Sequence, residues 1–267
     1  MSGTEPVGEM TLLDSVTFPG EFDRVALLSD VHGNLPALEA CLADVFDAEV
    51  DAIFFLGDLT WGPQPREVLD RTQSIGLPTG FVAGNAERAV VELANGSRQW
   101  ESATGDWLVE RHDRDGVQRI AAFPAALTVR TRGIGTIRLC HGSPRSDIEL
   151  LTPATPTERI IDATRGLDTA AFAHGHTHLQ YQREVNGLRI IAPGSVGIPY
   201  DAAVPGARWA LVADDVTLRT SPYDIELAIS AARAVDYPGL ANYEKYLRTP
   251  PTLDEIVEDA EGREFAD

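Results

Sequence analysis

Five times in this chain a short apolar run ends in a turn that sets glycine beside aspartate, histidine or asparagine. The segments are Ser29-Asp30-Val31-His32-Gly33-Asn34, Gly57-Asp58-Leu59, Gly84-Asn85-Ala86-Glu87, His141-Gly142-Ser143-Pro144 and His174-Gly175-His176-Thr177-His178. Runs this short and this apolar read as buried strands. Strand ends in an α/β sheet converge on one edge, where such folds bind ligands, and glycine lets the backbone approach whatever is bound. Five of the six histidines fall in these segments, with only His112 outside. Taken singly, each segment has a plainer reading: an aspartate that turns the backbone, an asparagine that supports a turn, a histidine held by hydrogen bonds. Their joint occurrence goes further, and Asp-x-His and His-x-His are hard to explain as core packing. Carboxylate, imidazole and amide oxygen together suit divalent transition metals such as Mn, Fe, Zn or Ni.

The rest of the pattern frames these turns. In the first half, strands over residues 24–29, 52–57 and 79–83 alternate with helical segments. Asn34 caps the first helix, with Pro36 in its first turn, and Leu35, Leu38, Cys41, Leu42, Val45 and Phe46 follow at helical spacing. Residues 66–72 form a second helix and 87–110 a polar helical stretch. After Pro124 hairpins take over: 127–132 with 136–140, 180–185 with 188–192 across Asn186-Gly187, and 208–212 with 216–219. Residues 170–173 add one short strand. Two sheets packed face to face, with helices outside, satisfy both halves. The expected organisation is a loose lead-in over 1–22 and a single domain over 23–267, ending in an acidic, partly helical extension from about Asp224.

Bulk properties narrow the partners. The chain has 267 residues and 41 Asp plus Glu against 22 Lys plus Arg, a net charge of −19, with Lys245 its only lysine. Such a surface repels nucleic-acid backbones and anionic lipid. Solubility is the plain reading of this acidity. The sharper one is adaptation to concentrated salt, where self-repulsion is screened. No apolar stretch approaches bilayer-spanning length and no cleavable leader is visible. Cys41 and Cys140 lie in apolar segments and read as buried free thiols, which points to a cytoplasmic location.

The order DVHGN, GDL, GNAE, HGS and GHTH resembles the calcineurin-like metallophosphoesterase superfamily, whose pattern runs D-x-H, G-D, G-N-H-D/E, H and G-H-x-H. The resemblance reaches from Asp30 to His178 and on to PGSVG at 193–197, about two-thirds of the chain. GNLPALEA, GPxPxEV and GSVGxPY are similar to a small prokaryotic branch related to diadenosine tetraphosphate hydrolases and Ser/Thr protein phosphatases. The resemblance implies an α/β, four-layer αββα sandwich of two mixed β-sheets with flanking helices. It also implies two divalent metal ions, with Mn favoured. Asp30, His32 and His178 would hold the first, Asp58 would bridge, and Asn85, His141 and His176 would complete the second. His174 has no ligand role in the pattern and reads as structural.

With neutral imidazoles, two ions of +4 and two carboxylates leave the centre near +2, and near +1 with a bridging hydroxide. Such a centre attracts phosphate and supplies a metal-bound hydroxide nucleophile at neutral pH. The implied activity is hydrolysis of a phosphodiester, phosphomonoester or nucleotide anhydride in a small phosphorylated substrate. A Ser/Thr protein phosphatase would share the site, and a scaffold that binds metal without turnover is the reading from another class. Ala86 stands where many members carry a histidine that assists the leaving group. That leaves three readings open: a substrate with a good leaving group, replacement by His112 or Arg145, or lost activity. Glu87 is expected to orient His32 or another ligand, or to serve only in the first turn of a helix. Arg145 and Arg66 are candidates for substrate phosphate, with surface ion pairs as the alternative. Trp61 and Tyr200 are candidates for stacking on a base or aryl group, with burial as the alternative.

Overall fold

A computed structural model describes residues 11–99, 102–200 and 206–267. The first half of the chain runs β1 (Ser15–Phe22), β2 (Val25–Leu28), α1 (Leu35–Asp47), β3 (Ala52–Phe55), α2 (Pro65–Gln73), β4 (Thr79–Phe81), α3 (Asn85–Asn95) and α4 (Ala103–Ala121). It continues through β5 (Ala126–Thr131), β6 (Gly135–Cys140), α5 (Thr157–Ala163), β7 (Ala171–Ala173), β8 (Gln180–Val185) and β9 (Leu188–Pro193). The last elements are β10 (Ala207–Val212), β11 (Val216–Ser221), α6 (Ile225–Ala234), α7 (Leu240–Arg248) and α8 (Leu253–Arg263).

Two mixed sheets result, ordered β1-β5-β6-β7-β9-β8 and β11-β10-β2-β3-β4. Period-two alternation sends each strand face to a different core. Val25 and Leu27 of β2 enter the core between the sheets with Phe54, Leu139 and Ile191. Ala26 and Leu28 face the opposite way, toward Leu38 and Leu42 of α1 and Val68 and Leu69 of α2. The outer face of the six-stranded sheet packs Phe172 and Ile190 under Ile160 of α5 and Ile256 of α8. These are the four αββα layers expected. Because β2, β3 and β4 are mutually parallel, as are β6 and β7, the turns that follow them leave from shared edges.

Local chemistry explains the element ends. The Asn34 side chain accepts from the Ala37 N–H, starting α1, and Asn186-Gly187 closes the β8–β9 hairpin with both residues at positive φ. One expectation needs correction and two are made more specific. Residues 15–22, placed in a loose lead-in, form the edge strand β1, parallel to β5; residues 1–10 lie outside the described residues. Only Phe22 of β1 is buried, so the strand has no apolar alternation to announce it. The polar stretch 87–110 is two helices, because Gly96 takes a left-handed conformation and ends α3. The C-terminal extension is three helices, in which Ala228, Ile229, Tyr243 and Leu247 build a small core of their own. Cys41 and Cys140 are buried free thiols. Among the described residues no helix is long and apolar enough to cross a membrane.

Candidate metal centre

Asp30 and His32 follow β2, Asp58 follows β3, Asn85 opens α3 after β4, His141 follows β6, and His176 and His178 follow β7. The turns bring six of them into two triads, Asp30–His32–His178 and Asp58–His141–His176, each with its ligand atoms within 4.8 Å of one another. In the first triad His178 Nε2 lies 3.3 Å from Asp30 Oδ1 and 3.0 Å from His32 Nε2. In the second, His141 Nε2 lies 3.3 Å from Asp58 Oδ1 and 3.0 Å from Asn85 Oδ1. Asp58 joins them, since its other oxygen, Oδ2, is 3.7 Å from His32 Nε2.

The rings are aimed from behind. The Nδ1 atoms of His32, His141 and His178 lie 3.0, 2.8 and 2.6 Å from the carbonyls of Trp61, Leu56 and Ile198. A carbonyl only accepts, so each Nδ1 carries a proton and Nε2 is the ring nitrogen that faces the centre. In the first triad two Nε2 atoms face each other across 3.0 Å, a distance that a shared proton or a cation beside both nitrogens satisfies. His176 Nε2 is buried without a hydrogen-bond partner. These orphaned and opposed ring nitrogens fit a pair of divalent ions.

The carboxylates are held as ligands. Burial pushes the Asp30 carboxyl up, but the adjacent His178 imidazole outweighs it and holds the group at about 2. At Asp58 the same opposition, with His141 as partner, ends well below the usual carboxylate range. Burial lowers His176 to about 4. Burial also lowers His141, but Asp58 prevails and raises it to about 10. Close packing needs glycine at two places: a Cβ on Gly84 would stand 2.2 Å from Asp58 Oδ1, and one on Gly175 would stand 2.4 Å from Asp30 Oδ2.

Glu87, fully buried, accepts through Oε2 from the N–H groups of Asp58 (2.8 Å) and Gly84 (2.9 Å). Its Oε1 accepts from Leu59 (2.8 Å) and Thr60 (3.3 Å). It therefore orients the Asp58 loop, not His32. Burial and the Asp58 charge raise its carboxyl above the ordinary value, with the Gly84 and Leu59 N–H groups opposing.

Arg145 does not reach the centre. Its guanidinium grips buried Glu149 through Nε (2.9 Å) and Nη2 (2.8 Å) and turns Nη1 to Asp162, so the expected contact with substrate phosphate is replaced by an ion pair. Arg66 is likewise engaged by Asp70 and Asp113. His112 is buried on α4 beside Gly116 and Arg66, and cannot substitute for the side chain missing at Ala86. His174 is buried against the Tyr181 hydroxyl (2.9 Å) and the Gly175 carbonyl, as a structural residue. Tyr200 stacks on His178 at 4.3 Å between centroids.

Two contributors stand apart from the expected site residues, Ser195 within PGSVG and Asp267. Ser195 donates to the Asp30 carbonyl (2.7 Å) and accepts from the Ile198 N–H, bracing the first ligand loop. Asp267 reaches back to Arg88 and Arg98 and lines, with His32, Trp61, Asn85 and Ala86, a cavity of about 200 Å³ over Asp58.

Comparison with known proteins agrees with this arrangement. The protein MJ0912 of Methanocaldococcus jannaschii is 25% identical over 195 residues, covering 66% of this chain and 77% of that one. The crystal structure of PH1004 from Pyrococcus horikoshii superposes with a TM-score of 0.74 at 19% identity, over 85% of this chain and 98% of that one. A metallophosphoesterase from Sphaerobacter thermophilus gives a TM-score of 0.66 at 26% identity, over 84% and 98% of the two chains. Residues 24–213, a span that holds both triads and Asn85, match the calcineurin-like phosphoesterase superfamily domain, and the chain belongs to that superfamily.

Proposed function

We propose that this protein is a dinuclear-metal-dependent phosphoesterase acting on a small phosphorylated substrate. One observation carries the reading: Asp58 offers one carboxylate oxygen to each triad, which is what a bridging ligand between two ions requires. Asp30, His32 and His178 hold one ion, Asn85, His141 and His176 the other, and Asp58 both. Manganese is favoured by a set that mixes carboxylate and amide oxygens with imidazoles. When bound, such ions supply Lewis acidity toward phosphoryl oxygens and lower the pKa of water toward neutrality.

The residues set the remaining conditions. Backbone carbonyls hold His32, His141 and His178 with Nε2 toward the centre; binding as neutral imidazoles, they would leave two divalent ions and two carboxylates with a net positive charge toward a phosphate. Glu87 and the Ala86 N–H, which donates to Asp58 Oδ1 at 2.9 Å, fix the shared carboxylate. Ala86 places no proton donor at the mouth of the cavity, which favours leaving groups stable as anions, such as nucleotide anhydrides or activated diesters. The cavities flanking the centre measure about 180, 200 and 290 Å³, at or below the small end of ligand pockets. That favours a compact substrate over a phosphoprotein.

The test pairs metal analysis of the purified protein with a panel assayed in Mn²⁺: chromogenic monoesters and diesters, diadenosine polyphosphates, cyclic nucleotides and a phosphoprotein. Two metals per chain and hydrolysis well above an Asp58→Asn control are expected. Rates equal to that control on every substrate would leave a metal-binding scaffold instead.

A further inference from the structure

A cavity beside the centre opens on the side of the first triad and measures about 290 Å³. His32 and His178 form one wall, and Trp61 is shared with the smaller cavity over Asp58. A group bound there is therefore continuous with one bound at the metals. The far wall is aromatic: Tyr237, Tyr243 and Tyr246, with Asn242 and Ser102 adding amide and hydroxyl groups. Among the described residues no Lys, Arg, Asp or Glu lines it, with Lys245 Nζ standing 6.0 Å from the Tyr246 ring centroid, and its aromatic wall suits a flat ring better than a second phosphate.

The rings are held before any ligand arrives. Tyr237 packs edge-on against Trp107 at 5.3 Å and against Tyr243 at 6.2 Å, and Tyr246 lies 5.5 Å from Tyr200, itself stacked on His178. Preorganised aromatic faces lower the ordering cost of binding. The Tyr243 hydroxyl is buried and finds no hydrogen-bond partner. Three of these residues, Asn242, Tyr243 and Tyr246, sit on α7, beyond the span 24–213 that matches the superfamily.

We infer that this cavity is a nucleobase subsite, and that the substrate is a small nucleotide whose base lies between Tyr246 and the Tyr237–Tyr243 pair while its phosphate meets the metals. The inference rests on the phosphoesterase reading and narrows its substrate class. The space admits one ring system, and the charge of −19 disfavours a nucleic-acid strand. Base stacking on an aromatic side chain typically changes affinity by roughly tenfold or more on alanine substitution.

Calorimetric titration of the metal-loaded protein with adenosine, ribose 5-phosphate and AMP separates the two halves of the site. AMP should bind at least roughly tenfold tighter than ribose 5-phosphate. Tyr246→Ala should cut that advantage below about threefold, and Tyr246→Phe, which keeps the ring, should preserve it. Equal affinity for AMP and ribose 5-phosphate, with binding that requires metal and Asp58, would overturn the base subsite and leave the metal centre standing. Adenosine binding that depends on Tyr246, with no metal-dependent binding of ribose 5-phosphate, would uphold the subsite and sink the phosphoesterase reading.

Discussion

Replacing Glu87 with glutamine changes one oxygen to an amide nitrogen and almost nothing else in size. In the wild type each carboxylate oxygen accepts from two backbone N–H groups, Asp58 and Gly84 on one side, Leu59 and Thr60 on the other. Whichever way the amide turns, two buried donors lose their acceptor and meet an NH₂ group instead. An unsatisfied buried donor costs about 1–3 kcal/mol, so Glu87→Gln should destabilise the metal-free protein by roughly 2–6 kcal/mol, against a typical total of about 5–15 kcal/mol. The freed donors include the N–H of Asp58 itself, a residue at φ 52°. Loosening it should weaken metal affinity by about 10–100-fold, as loss of a ligand-orienting group commonly does. Urea denaturation of metal-stripped protein reads the first effect as a lower midpoint at unchanged slope, and Mn²⁺ titration reads the second. A variant within about 0.5 kcal/mol of wild type, with unaltered Mn²⁺ affinity, would refute the assignment of Glu87 as the brace of the Asp58 loop.

Other perturbations test separate parts. Ala86→His returns an imidazole to the cavity over Asp58 and should raise rates on alkyl esters by about 100-fold or more, with far less effect on nitrophenyl esters; equal effects on both would discard the leaving-group account. Arg145→Ala leaves Glu149, with no exposed surface, as an unpaired buried carboxylate and should cost about 3–5 kcal/mol in urea denaturation, while Arg145→Met with Glu149→Leu recovers most of it. His112 is buried with both ring nitrogens unpartnered, and burial, reinforced by Arg66, lowers it to about 4. The unfolded chain then takes the proton first, so stability falls as pH drops from about 6.5 toward 4, by about 3 kcal/mol at most; His112→Leu should flatten that part of the pH–stability curve. Finally, a net charge of −19 should make the melting temperature climb between about 0.1 M and 2 M KCl as self-repulsion is screened, and a flat response would remove the halophilic reading.

What could be read from residue types was read, and what depends on partners distant in sequence was not. Val25 and Leu27 against Ala26 and Leu28 carry the alternation that makes β2 a central strand, and Asn186-Gly187 makes its hairpin unavoidable. The seven candidate ligands stood out because imidazole and carboxylate at strand ends have few other uses. β1 escaped because an exposed edge strand, with Pro19 and Gly20 inside it, shows no periodicity. Arg145 looked available for phosphate until Glu149 and Asp162 were seen to take its guanidinium. Glu87 carried a visible acid but no indication that it would grip four backbone N–H groups from two loops. α7 offered few apolar positions, so nothing in its pattern said that Tyr243 and Tyr246 would stand beside the metal ligands.

One property of the centre is invisible in sequence and explains its construction. Asp30, His32, Asp58, His176 and His178 all occupy left-handed backbone conformations, at φ between 48° and 65°, each a cost of about 1–3 kcal/mol for a residue other than glycine. Such strain persists only where the surroundings over-determine it. Here the ligand loops tie one another: Asp30 N–H to the Gly57 carbonyl, His32 N–H to the Asp58 carbonyl, Gly175 N–H to the His141 carbonyl, and His176 N–H to the Asp30 carboxylate. All four bonds run between ligand loops, two within the five-stranded sheet, one within the six-stranded sheet and one across from one sheet to the other. The frame thus holds the Nε2 atoms of His32 and His178 3.0 Å apart. A site so assembled spends folding energy on positioning its side chains in advance, which lowers the ordering cost of binding.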